Sequence, residues 1–182
     1  GVLGRHNTMN ALAVAATSWV MGIPGQKVTD GVKAFHGAGR RMEYKGEYRG
    51  AKVYDDYAHH PDELRATLEA VRGMGDHRIV LAFQPHTYTR TKLLMDDFIR
   101  ELQKADVVVL AEIYAARESN TIGISSADLA AQIPGSIYCE TLQDVTDCLR
   151  SIVREGDIVL TMGAGDIFRA GEALLSGEDS KK

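Results

Sequence analysis

Three short stretches concentrate side chains that can move protons or hold charge. Residues 55–61 read DDYAHHP, residues 84–90 read QPHTYTR, and residues 163–166 read GAGD. The first joins two carboxylates, a phenol and two imidazoles, a set suited to accepting a hydroxyl hydrogen bond and handling a proton near neutral pH. Asp55 and Asp56 are the candidate acceptors, and Tyr57, His59 and His60 the candidate acid–base groups. A metal site is the weaker reading, because adjacent side chains in extended chain point to opposite sides. Two-histidine metal sites use i, i+4 spacing on a helix or take ligands from elsewhere. Asp62 and Glu63 follow Pro61 and complement the dipole of a helix starting there.

In QPHTYTR, His86 and Arg90 suit a carboxylate or phosphate, and a helix beginning there would add outward N–H groups. The plainer reading has Thr89 capping that helix and Arg90 solvated. GAGD is an incomplete piece of a dinucleotide fingerprint, and its glycines more simply permit a tight turn. Near the start, RHNTMNA offers His6, Asn7 and Asn10 either as helix caps or as groups reading an adenine edge. Arg40 and Arg41 either reach a phosphate or form a solvated pair.

The elements that must position these residues are legible as pattern. Residues 7–21 form an alanine-rich helix candidate ended by Gly22 and Pro24, and 27–35 a second, shorter one. A hairpin follows, leading into a strand at 51–57. Helices are then expected at 61–73, 89–104, 126–133, 142–155 and 164–175, alternating with strands at 78–84, 106–113, 136–139 and 157–162. Such alternation implies an α/β fold: a Rossmann-like three-layer domain with a mostly parallel sheet, preceded by a helical segment. In such sheets ligands gather at the carboxyl ends of the strands, where all three polar stretches fall.

Composition narrows the function. A formal net charge of −4 with no dense basic face argues against nucleic acid as a partner. The longest apolar run, at 106–113, is too short to cross a bilayer, so no membrane insertion is expected. Cys139 and Cys148 form no CxxC, which disfavours a thiolate zinc site and leaves them as packing groups of a cytoplasmic protein. The opening GVLGRHNTMN reads as the middle of a fold, so an excised portion is expected.

Taken in order, GRHNTMNALAVA, FHGAGRRME, DDYAHHPDEL, FQPHTYTRT, AEIYAARES and TMGAGDI resemble the Mur ligases of peptidoglycan synthesis over nearly the whole chain. The resemblance implies that residues 1–37 end a central ATPase domain and residues 38–182 form the C-terminal domain. It implies ATP-driven amide formation through an acyl phosphate, joining L-alanine to UDP-N-acetylmuramate in the bacterial cytoplasm. The close rival attaches murein tripeptide to the same sugar nucleotide, and the alternative from another class is a non-catalytic nucleotide-binding module.

Carried over by motif, His6, Asn7 and Asn10 border the adenine, Arg41 reaches the nucleotide, and Asp55 or Asp56 lies near the ribose hydroxyls. Tyr57, His59 and His60 face the reacting groups, while His86 and Arg90 hold the amino acid. ATP and Mg2+ are implied, the metal held mainly by the missing central domain. The Gly-rich phosphate loop of that domain is absent from the sequence, so the isolated chain is expected to be inactive. Thr87 stands where several relatives carry arginine, which leaves Arg90 as the cation for the substrate.

Overall fold

A computed structural model describes residues 4–177, without the side chains of Arg5 and His6. The expectation for His6 therefore lies outside what is described. Two helices come first, α1 (Arg5–Val20) and α2 (Gly25–Ala34). The sheet domain follows as β1 (Glu43–Tyr48), β2 (Ala51–Asp56), α3 (Pro61–Arg72), β3 (Ile79–Phe83), α4 (Tyr88–Leu93), α5 (Met95–Leu102) and β4 (Val107–Ala111). It ends with α6 (Ser126–Ala130), β5 (Ile137–Cys139), α7 (Leu142–Ile152), β6 (Ile158–Met162) and α8 (Phe168–Ser176).

The six strands are ordered β1-β2-β6-β3-β4-β5. Only the β1–β2 hairpin is antiparallel; every other pair is parallel. Arg49 and Gly50 turn that hairpin with positive φ at both positions, as a tight two-residue turn requires. Alternation along the strands splits the core in two. Ile79, Leu81 and Phe83 pack with Leu64, Leu68, Phe98, Leu102 and Leu129 of α3, α5 and α6. Val80 and Ala82 face the other way, toward Val145, Leu149, Ala170 and Leu174 of α7 and α8.

Handedness explains this division. The chain steps from β2 through β3 and β4 to β5 in one direction, so right-handed crossovers place α3, α5 and α6 on one face. It then returns to β6 in the opposite direction, which sends α7 across the other face. β6 enters between β2 and β3, and the register aligns Asp56, Met162 and Phe83 in one row. The loops after β2, β6 and β3 thus leave the sheet side by side, at a switch of strand order.

Several expected boundaries move. The single helix expected over 89–104 is two, broken at Leu94 (φ −108°, ψ 23°), although Leu94 N–H still donates to Arg90 O and Phe98 N–H to Leu94 O. It is one amphipathic run with a bend. Asn7 does not cap α1; the N-cap is Gly4, with no side-chain cap bond. Helix α8 starts at Phe168 rather than Ala164, because residues 163–167 form a turn around Gln84. Among the described residues no helix is long and apolar enough to cross a membrane.

Candidate functional site

The carboxyl edge of the sheet is organised around Arg40. Its Nε lies 2.7 Å from Asp55 Oδ2, while Nη1 and Nη2 donate to Gly165 O (3.1 Å) and Gly163 O (2.7 Å). The guanidinium also sits 5.0 Å from the ring centroid of Tyr57 and 4.7 Å from that of Phe168. One side chain thereby joins the linker before β1 to the ends of β2 and β6. The backbone is committed as well: Arg40 O accepts from Tyr57 N–H at 2.7 Å, and Arg40 and Met42 both hold positive φ (56° and 46°). Non-glycine residues occupy that region only where surrounding contacts enforce it.

Asp55 and Asp56 are 1% and 4% exposed, and their oxygens are used inside the protein. Asp55 also accepts from Thr161 Oγ1 (2.8 Å); Asp56 accepts from Met42 N–H (2.9 Å) and Ala58 N–H (2.8 Å). Burial pushes the Asp56 carboxyl above its usual range, aided by Asp55 and opposed by those two amides and by Arg41. Neither acid faces outward as the sequence reading expected; in this arrangement both hold the linker. Arg40 and Arg41, neighbours in the sequence, are divided. Arg41 is exposed, 3.7 Å from Glu63 and 5.7 Å from the centre of the Tyr57 ring.

The loops after β2, β3 and β4 contribute a row of rings. Tyr57 meets His59 edge-on at 5.5 Å, His59 meets His86 at 5.7 Å, and His86 stacks on Tyr114 at 5.7 Å. His59 Nδ1 lies 3.0 Å from Tyr57 O, so Nδ1 carries the proton of the neutral ring and Nε2 is left as an acceptor. His60 takes the opposite tautomer, since its Nδ1 accepts from Asp62 N–H as the cap of α3. Glu63 completes that cap by accepting from the amides of His59 and His60. The two histidines thus diverge, and His60 does a structural job.

Arg90 Nη1 lies 3.5 Å from His86 Nδ1, one helical turn away. Burial lowers the His86 pKa, and the charges of Arg90 and His59 lower it further against a smaller opposing pull from Glu118. His86 is therefore a neutral ring beside a cation at neutral pH. The amides opening α4 are not free for a ligand: Thr89 N–H donates to Glu118 Oε2 (2.9 Å), and the Thr89 hydroxyl donates to Glu118 Oε1. Two expectations change here. The N-cap of α4 is Thr87 (φ 69°) without a side-chain capping bond, rather than Thr89, and an internal carboxylate occupies the place expected for an anion.

GAGD proves to be a packing element. Gln84 Oε1 accepts from Asp166 N–H and Ile167 N–H, and its Nε2 donates to Asp166 Oδ1. A Cβ on Gly165 would come 2.3 Å from Gln84 Oε1 and 2.7 Å from Tyr114 Cγ, so only glycine fits. Asn7 and Asn10 pair with each other across a turn of α1 (3.4 Å), while the contacts building the ring row and the Arg40 node come from residues after 39. Sequence reasoning missed Gln84, Tyr114 and Glu118, and offered Arg40 only as one of a phosphate-reaching or solvated pair. The rule that ligands gather beyond the carboxyl ends of strands could have drawn attention to the loop after β4.

The family model "Mur ligase, glutamate ligase domain" matches residues 40–165. The chain belongs to the Mur ligases. UDP-N-acetylmuramate–L-alanine ligase of Lachnospira eligens is 46% identical over 179 residues, covering 96% of this chain and 39% of that protein. The corresponding protein of Geotalea uraniireducens is 46% identical over 177 residues, covering 94% and 39%. The crystal structure of UDP-N-acetylmuramate-alanine ligase from Thermotoga maritima superposes with a TM-score of 0.82 at 29% identity, covering 100% of this chain and 39% of that one. This Mur ligase chain thus spans about two fifths of the length of the curated relatives it matches. Among its described residues no three His, Cys, Asp or Glu side chains gather as a metal site, and its two acids nearest the rings are turned inward.

Proposed function

We propose that the chain is the C-terminal part of a ligase that uses ATP to join L-alanine to UDP-N-acetylmuramate in the bacterial cytoplasm. The observation that carries this reading is 46% identity across nearly the whole chain to relatives bearing that name. The geometry supports it. Arg90, half-buried beside a neutral His86, is a fixed cation suited to an amino-acid carboxylate. His59 Nε2 is an acceptor on the same row of rings, suited to taking a proton from the attacking amine. Tyr57 closes the row against the Arg40 and Arg41 guanidiniums.

In the reaction, the muramyl carboxylate attacks the γ-phosphate of ATP to give an acyl phosphate and ADP, and the alanine amine then displaces phosphate. Arg41, exposed on the linker, contributes charge toward the nucleotide, with His6, Asn7 and Asn10 on the adenine side. Asp55 and Asp56 act through the linker they hold. Residues 1–37 then belong to the central ATPase domain and 38–182 to the C-terminal one. The apolar side chains standing out from α1 and α2, with Trp19 85% exposed, suit a surface covered by the rest of that central domain.

The test joins the chain to its upstream part and measures phosphate release from ATP in the presence of UDP-N-acetylmuramate. Release that depends on L-alanine is expected, and none from the isolated chain. Release that responds to a murein tripeptide but not to alanine would transfer the chain to the rival ligase. Nucleotide binding without turnover would make it a binding module.

A further inference from the structure

Helix α4 carries Arg90 and follows directly on His86, yet its own N-cap, Thr87, makes no capping bond. An uncapped first turn leaves backbone donors unsatisfied and the helix start free to fray. Glu118 supplies what is missing from 29 residues further along the chain. One oxygen accepts from Thr89 N–H, the other from the Thr89 hydroxyl, and the Tyr88 amide and Thr87 hydroxyl are drawn to the same carboxylate.

The loop that delivers Glu118 is tied to the loop it caps. Thr87 N–H donates to Tyr114 O and Tyr114 N–H to Pro85 O, both at 2.9 Å, making a short parallel bridge beyond the ends of β3 and β4. Each side of the contact contains a left-handed non-glycine residue, Thr87 (φ 69°) and Ala116 (φ 53°). Thr87 is β-branched, for which that conformation is unusual, so the contacts around it hold it there.

We propose that Glu118 is a positioning residue: from the loop after β4 it caps the first turn of α4 and so sets the orientation of His86 and Arg90. Its charge also faces His86, whose other charged or titratable neighbours are Arg90 on α4, His59 after β2 and Tyr114 after β4. The effect on substrate rests on the ligase reading above; the capping does not.

The two parts are tested separately with Glu118→Gln, which keeps one acceptor oxygen, replaces the other by a donor and loses the charge, and Glu118→Ala, which loses both acceptors and the charge. In this chain, hydrogen exchange at the Thr89 amide is expected to accelerate about tenfold in Glu118→Ala and to stay near the parent rate in Glu118→Gln. The His86 imidazole, followed by NMR, is expected to titrate at lower pH in both variants. In the uninterrupted ligase, Glu118→Ala is expected to raise the KM for the amino acid about tenfold, with the KM for ATP changed less than about twofold, and Glu118→Gln to restore most of the loss. Unchanged Thr89 exchange in Glu118→Ala overturns the proposal, as does a melting temperature that falls equally in both variants while His86 does not move. If the parent ligase shows no amino-acid-dependent turnover, the ligase reading falls, and Thr89 exchange with the His86 titration still decides the positioning role.

Discussion

Arg40 Nε and Asp55 Oδ2 stand 2.7 Å apart at the mouth of the site, and the remaining guanidinium donors close on the carbonyls of Gly163 and Gly165. Replacing Arg40 by alanine would leave a carboxylate buried without its cation and two carbonyls without donors. A loss of about 3–5 kcal/mol is expected, the usual cost of breaking one side of such a pair. Arg40→Lys should recover part of this, since an ammonium cannot reproduce the planar fork. Urea unfolding of the three proteins measures it; equal midpoints would show that Arg40 is not what joins the linker to the sheet.

Acid should weaken the fold through His86. Its pKa is held below the ordinary 6.5 by burial and by the charges of Arg90 and His59. A histidine depressed on folding contributes stability that is present above its unfolded pKa and lost as pH falls through the folded one. Stability should therefore decline below about pH 6.5, and His86→Asn should flatten that decline. Arg90→Ala removes a positive neighbour and should move the His86 titration upward, a shift visible by NMR.

Glycines at two places should respond in opposite directions. Gly165→Ala places a methyl 2.3 Å from Gln84 Oε1 and against Tyr114, both held in place, so a loss of about 1–3 kcal/mol and disturbed Tyr114 and His86 resonances are expected. Gly31 lies inside α2 with nothing within 4 Å of an added Cβ. Gly31→Ala should raise helix stability by about 0.4–1 kcal/mol. Thermal unfolding followed by circular dichroism separates the two.

In the uninterrupted ligase, Arg90→Ala should raise the KM for alanine by about 10- to 100-fold, the scale of one charge-assisted bond to a carboxylate. Asn7→Ala should instead raise the KM for ATP. Steady-state phosphate release under varied alanine and varied ATP keeps the two effects apart, and an unchanged alanine requirement would remove Arg90 from the amino-acid side.

Local pattern alone was enough to place nearly every helix and strand, because apolar period and turn residues are properties of neighbouring positions. The continuous run RIVLAFQ reads as a buried strand from its letters, and the alternation of strands with helices implies a parallel sheet. The placement of DDYAHHP, QPHTYTR and GAGD at strand ends follows from the same string. What the letters could not carry is which distant groups meet. The insertion of β6 between β2 and β3 puts Gly163 and Gly165 within reach of Arg40, and that depends on the crossover direction. Asp55 and Asp56 look like ligand groups in isolation, yet packing turns both inward, where Arg40 and Met42 of the linker, with Thr161 and Ala58, satisfy their oxygens. Arg40 and Arg41 are neighbours in sequence, but backbone dihedrals send one into the sheet edge and leave the other exposed. Glu118 is the plainest case: nothing within 28 residues of it marks it as a cap for Thr89, and only the register of β3 against β4 brings the two loops together.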